Sequence, residues 1–283
     1  MMLKIAAVQM AMSEHQEDNR LKAEKMVREA AANGAQIILL PELFEGLYFC
    51  KDMDDKYFSW AKEREHHPLM KQFSALAKEL EVVLPISYFE KSGTHYYNAL
   101  VVIDADGTVM ENYRKTHIPD GPGYEEKFYF KEGDTGFKVW ETKYAKIGVG
   151  ICWDQWFPES ARAMALMGAD LIFYPTAIGS EPEINVDSSK HWQRVQQGHA
   201  VANTVPVIAA NRVGVEVGES CTLTFYGHSF MTDATGAMLA EASRDEEMVV
   251  YAEYDLVEIA KQRAYWALLT DRRPQMYGDL CNV

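Results

Sequence analysis

Residues 33–42 read NGAQIILLPE and residues 167–176 read MGADLIFYPT. Each runs Gly-Ala, a polar residue, four apolar residues and a proline, and each follows a stretch with helical spacing. Before the first copy, Ala23, Met26, Val27, Ala30 and Ala31 fall at i, i+3, i+4, i+7 and i+8, the stripe that a helix buries. Asn33-Gly34 then supplies a stop, because glycine takes the left-handed backbone that ends helices. Before the second copy, Pro158 stands at a first-turn position, and Ala161, Met164 and Ala165 share a face. Two copies of one helix-to-strand unit are therefore expected at equivalent places in the fold, at a period too long for a solenoid.

The segments on either side extend the pattern. Leu69, Phe73, Leu76, Ala77 and Leu80 repeat helical spacing ahead of VVLPISYF, and NALVVID passes through a DADG turn into TVMENYRK. HWQRVQQGHAVANTVPVIAANR again runs from helix to strand, and YGHSFMTDATGAML reads as strand and turn. No Ser/Gly/Pro-rich linker divides the chain, so residues 1–283 are expected to form one α/β domain.

A chain of 283 residues with 48% hydrophobic content can fill a sizeable core. Its charge, 28 − 42 = −14, disfavours nucleic acid and anionic membrane surfaces and favours cationic small molecules. The start MMLKIAAVQM is too short an apolar run for a signal peptide and no run is long enough to cross a bilayer, so the expected compartment is cytoplasmic. Cys50, Cys152, Cys221 and Cys281 lie far apart and read as free thiols. The histidines lack chelating spacing, His66-His67 included, so neither a metal nor another cofactor is expected.

Three strand-end residues stand out. Cys152 closes the expected strand Lys146–Ile151, with glycines at 148 and 150 that permit close approach. Ligands collect at such carboxyl edges of open α/β sheets. A buried structural cysteine is the commoner reading, and Cys50, Cys221 and Cys281 take it. Glu42 ends an apolar strand where the second copy has Thr176, which suggests a partly desolvated carboxylate suited to general-base work, although a lone glutamate is more often a cap or a solvated loop residue. Lys115, beside Arg114, reads alone as a solvated cation. Together, a thiol, a carboxylate and an ammonium make a kit for acyl transfer: nucleophile, proton acceptor and oxyanion stabiliser.

LLPELF around Glu42, YRKTHIPDGPGYEEKFYF around Lys115 and GVGICWDQWFPE around Cys152 resemble, in order and spacing, the three signatures of the nitrilase superfamily of carbon–nitrogen hydrolases. The resemblance covers nearly the whole chain. It implies a four-layer α-β-β-α sandwich, with Glu42 as general base, Lys115 as oxyanion stabiliser and Cys152 as nucleophile. It also implies Glu126 as an auxiliary acid beside the lysine. Protomers of the superfamily commonly pair through helices near the nucleophile, which implies a homodimer or a larger even-numbered oligomer.

Within the superfamily, YPTAIGSEPEINVDSSKHWQRVQQGHAVANTVPVIAANR resembles amidases acting on N-carbamoyl amines. The carbonyl of such a substrate would be attacked by Cys152, with Lys115 and the backbone N–H of Trp153 receiving the negative charge and a carbamoyl-thioester following. Trp153 and Trp156 are expected to wall the pocket. Glu181, between Ser180 and Pro182, is the candidate for reading a distal ammonium and Asp187 the second, whereas Glu183 reads as solvated. Other members, such as β-ureidopropionase-like or ω-amidase-like hydrolases, would differ at the far end of the pocket. A silent binding protein is disfavoured by the intact trio, and a thiol redox protein by the lack of C-x-x-C.

Overall fold

The computed structural model describes residues 2–182 and 186–281, the side chain of Cys281 apart. Its strands are β1 (Met2–Gln9), β2 (Ile37–Leu39), β3 (Leu84–Ser92), β4 (His95–Ile103), β5 (Val109–Arg114), β6 (Val139–Glu141), β7 (Lys146–Val149), β8 (Leu171–Pro175), β9 (Val207–Ala210), β10 (Val213–Val217), β11 (Thr222–Tyr226), β12 (Phe230–Thr232), β13 (Met238–Glu241) and β14 (Met248–Asp255). The helices are α1 (Gln16–Ala32), α2 (Pro68–Leu80), α3 (Glu126–Tyr129), α4 (Pro158–Leu166), α5 (Ser189–Asn203) and α6 (Leu256–Trp266).

The repeated unit is real down to its hydrogen bonds. Gly34 and Gly168 both take left-handed backbone, with φ of +86° and +91°. Gly34 N–H bonds the carbonyl of Ala31 and Gly168 N–H that of Ala165, while Ala35 and Ala169 reach back to Ala30 and Met164. These contacts satisfy the last carbonyls of α1 and α4. The next residues then join a neighbouring strand: Gln36 N–H bonds Lys4 and Asp170 N–H bonds Lys146. Each unit thereby lays its strand parallel to the preceding one, β2 on β1 and β8 on β7.

One six-stranded sheet runs β13-β12-β9-β8-β7-β6. The other layer combines the ladders β14-β1-β2 and β3-β4-β5, joined by a parallel bridge between Ile37 and Val83. Alternation along the strands divides the core into sheets of contact. Leu3, Ile5, Ala7, Ile37 and Leu39 of the first layer meet Ile147, Val149, Leu171, Phe173 and Ile208 of the second in one buried cluster. Their neighbours Ala6, Val8 and Ile38 face α1 and α2 through Ala23, Val27, Leu69, Phe73 and Ala77. On the opposite outside, Ile172, Tyr174, Val207 and Ala209 face Ala161, Met164, Ala165, Trp192 and Ala200 of α4 and α5. The order helix, sheet, sheet, helix is the four-layer sandwich, and each fully buried large apolar side chain contributes about 1.5–3 kcal/mol.

Two expectations need correction. The strand before Cys152 ends at Val149 rather than Ile151, and Cys152 opens a short 3-10 helix, Cys152–Trp156. Cys221 is partly exposed, unlike the buried Cys50 and Cys152, because it lies near the turn of the β10–β11 hairpin.

Candidate active site

Glu42 follows β2 through Leu40-Pro41 and is completely buried. Asn98 Nδ2 of β4 donates to its Oε1 at 2.7 Å, and Lys115 Nζ donates to the same oxygen at 2.9 Å. The other oxygen, Oε2, is buried without a hydrogen-bond partner. Lys115 stands one residue past β5, where its backbone N–H still bonds the carbonyl of Asn98 at 2.8 Å. Asn98 therefore sets both ends of the ion pair, one through its side chain and one through its main chain.

Lys115 Nζ also donates to Glu126 at 2.7 Å and 2.9 Å, and Tyr48 Oη donates to Glu126 Oε1 at 2.7 Å. Burial on its own would depress the ammonium, but the Glu126 and Glu42 carboxylates overrule it and hold Lys115 well above its ordinary range. Burial likewise raises Glu126 above the usual carboxylate range, beyond what the Lys115 charge pulls back. One ammonium between two buried carboxylates leaves surplus negative charge, and low dielectric makes that surplus costly.

Cys152 has a left-handed backbone, φ +43°, uncommon outside glycine. Asp154 holds this turn: its buried carboxylate accepts from Ile151 N–H at 2.9 Å, Tyr113 Oη at 2.7 Å and His117 N–H at 3.1 Å. Tyr113 and His117 flank Lys115, so the turn is tied to the lysine segment. Burial, followed by the Glu42 charge, pushes the Cys152 thiol well above its usual range, while Lys115 pulls it down. With the thiolate disfavoured in this way, attack by the sulfur calls for a base, and the nearby carboxylate can supply one.

Beside this cluster lies a cavity of about 460 Å³ lined by Cys152 and Glu126 and, further along, by Trp153, Trp156, Tyr124, Glu181, Ser188 and His191. Trp153 is 37% exposed and meets Trp156 edge-on at 6.2 Å, so the two indoles form one wall of the cavity. Burial raises the half-buried Glu181 carboxyl, and Ser188 Oγ bonds it at 3.4 Å. Asp187 is a correction: it does not line the cavity. Its carboxylate accepts from Ser189 N–H at 3.0 Å at the start of α5 and pairs with Arg244 at 2.8 Å, and these bonds hold it at a pKa of about 2. Glu183 lies outside the described residues. Among the described residues no group of three His, Cys, Asp or Glu side chains could hold a metal ion.

The carbon-nitrogen hydrolase family model matches residues 4–264. The chain belongs to this family. It is similar to a citrullinase from Francisella tularensis, 53% identical over 98% of both chains. It is also similar to the N-carbamoylputrescine amidase of Arabidopsis thaliana, 54% identical over 99% of this chain and 95% of that one. The crystal structure of a carbon-nitrogen hydrolase from Helicobacter pylori matches at a TM-score of 0.93, with 39% identity and 99% of each chain covered. The protein is an enzyme that cleaves carbon–nitrogen bonds.

This carbon-nitrogen hydrolase also has, at the site, residues that the sequence left unmarked. Asn98 opens the apolar run NALVVID, and a polar side chain heading a buried strand was the available signal. Tyr48 and Tyr124 gave none, since aromatic residues are frequent in loops that pack.

Proposed function

We propose that the enzyme hydrolyses N-carbamoylputrescine to putrescine, carbon dioxide and ammonia, with Cys152 as nucleophile. Glu42 accepts the thiol proton on its unpartnered Oε2 as sulfur attacks the ureido carbonyl, and Lys115 with the Trp153 N–H stabilises the oxyanion. The C–N bond to the diamine breaks, the proton passes to the departing nitrogen, and a carbamoyl-thioester remains. Glu126, bonded to Lys115 and facing the cavity, keeps the ammonium in place and assists proton transfer. Water deprotonated by Glu42 releases carbamic acid, which breaks down to carbon dioxide and ammonia.

One observation carries the choice of substrate. Glu181 lines the cavity that Cys152 also lines, and no Lys or Arg is among its described lining residues. A distal ammonium finds a carboxylate there, and a substrate carboxylate would face like charge. The kinship with a citrullinase favours a second reading, a ureido amino acid whose amine meets Glu181. Ammonia release from N-carbamoylputrescine, citrulline, N-carbamoyl-β-alanine and an uncharged N-carbamoyl alkylamine separates the two. The diamine derivative is expected to lead, and Glu181→Gln to raise its KM roughly 10-fold or more, the value of a charge-assisted hydrogen bond of about 1.5–3 kcal/mol, while sparing the uncharged substrate. Equal losses on both would assign Glu181 to loop support.

The working form in this proposal is a homodimer or a larger even-numbered oligomer. Apolar side chains on α6 support it, Tyr265 being 84% and Trp266 58% exposed. Light scattering at assay concentration decides. The free thiols favour a reducing, cytoplasmic setting.

A further inference from the structure

Arg212 lies completely buried just past β9, far in sequence from Glu42, and closes around the turn that carries it. Its Nη2 donates to the carbonyl oxygens of Glu42 at 2.8 Å and Leu43 at 3.2 Å. Its Nη1 donates to the Gly46 carbonyl at 3.3 Å and to Glu216 Oε1 at 2.9 Å. Leu43 holds a left-handed φ of +46°, which a branched side chain keeps only where its surroundings over-determine it. Three carbonyls converging on one guanidinium provide that constraint.

The same ion pair reaches the second glutamate. Glu216 Oε2 accepts from Tyr48 N–H at 2.6 Å, and the Tyr48 hydroxyl is the group that donates to Glu126. The guanidinium lies over the Tyr48 ring at 5.7 Å and the Phe225 ring at 5.2 Å, and Lys51 Nζ lies 3.5 Å from Glu216 as a second cation on that carboxylate. We propose that the buried Arg212–Glu216 pair is a positioning device that sets both carboxylates around Lys115: Glu42 through its turn, and Glu126 through Tyr48. This inference rests on the roles given above to Glu42 and Glu126. Only a planar fork can serve the turn carbonyls and a carboxylate together, so lysine, with its point charge, is not a substitute.

The test uses full-length Arg212→Lys and Glu216→Gln, with active sites counted by iodoacetamide alkylation of Cys152. Measured quantities are kcat and KM for N-carbamoylputrescine per counted site, the pH profile of alkylation, and Tm. Loss of alignment by about 1 Å predicts a fall in kcat on the order of 100-fold, with KM within about twofold. The alkylation profile should move along the pH axis, because a displaced Glu42 neither takes the thiol proton nor holds its charge against the sulfur. A wild-type kcat per site and an unmoved profile, whatever the change in Tm, would overturn the proposal. Glu216→Gln, which keeps its shape, carries the comparison if Arg212→Lys does not fold. Glu42→Gln in parallel separates two failures. If it leaves turnover and alkylation intact, the reading of the site is wrong. If it silences both while the Arg212 and Glu216 variants behave as wild type, only the positioning role falls.

Discussion

At the scale of single residues, burial and the Glu42 charge push the Cys152 thiol well above its usual range, while one buried oxygen of the Glu42 carboxylate has no partner. In the proposed mechanism the base removes the thiol proton as sulfur attacks, and Cys152→Ser is expected to fold, bind substrate and turn over at least about 1000-fold more slowly, since a hydroxyl ionises far less readily. Retained activity in Cys152→Ala would refute covalent chemistry. The raised Glu126 carboxyl carries a stability signature as well. The native state keeps a proton that the unfolded chain releases, so this contribution is complete below the unfolded carboxylate value of about 4.3 and is lost as pH rises through the folded one. Urea titrations are expected to show Glu126→Gln gaining stability relative to the parent between about pH 5 and about pH 8, whatever its offset. A constant difference would mean that Glu126 stays ionised throughout.

At the scale of elements, two glycines in the segment leading to Cys152 do different jobs. A β-carbon on Gly148 would lie 2.8 Å from Met164 Cβ, so this glycine sets the approach of α4 to β7. One on Gly150 would lie 2.8 Å from Tyr174 Cε1 and 3.2 Å from Asp154 Cβ, against the residue that holds the cysteine turn. Overpacking of this kind costs about 1–3 kcal/mol. Thermal melts are expected to fall for both alanine variants, but only Gly150→Ala should also lower kcat per folded site. Equal kcat values would show that the turn relaxes without moving the sulfur. The glycines were conspicuous in the sequence, whereas the shift from strand to 3-10 helix at Cys152 was not. That shift follows from Asp154 bonding Ile151 N–H and from contacts with Tyr113 and His117, which lie 41 and 37 residues from Asp154 in the chain.

At the scale of the whole molecule, the ends of the chain close one layer. β14 pairs with β1 along its full length, from Met2–Asp255 to Gln9–Met248, and Val250 and Ala252 enter the core between the sheets. Ending the chain before Met248 would expose β1 as a long apolar edge, and such edges aggregate. A truncation at residue 247 is therefore expected to be insoluble or to lose its cooperative melt, judged by circular dichroism and soluble yield. A folded product with an intact melt would show that β1 stands without its partner.

The local patterns of the chain determined the repeated helix-to-strand unit, the buried stripes of α1 and α4 and the placing of Glu42, Lys115 and Cys152 shortly after strands, because periodicity and turn chemistry act over a few residues. The trio stood out in the sequence because three uncommon strand ends carried complementary chemistry. Which acid lines the cavity was legible only as a ranking, Glu181 ahead of Asp187 for its place between Ser180 and Pro182, and it was the tertiary structure that put the first in the cavity and gave the second to Arg244 and the start of α5. The same holds for Asn98, Tyr48 and Arg212, whose partners come from strands and turns distant in sequence. Their value lies in the buried polar atoms they satisfy, and the need for satisfaction arises only once packing has removed water.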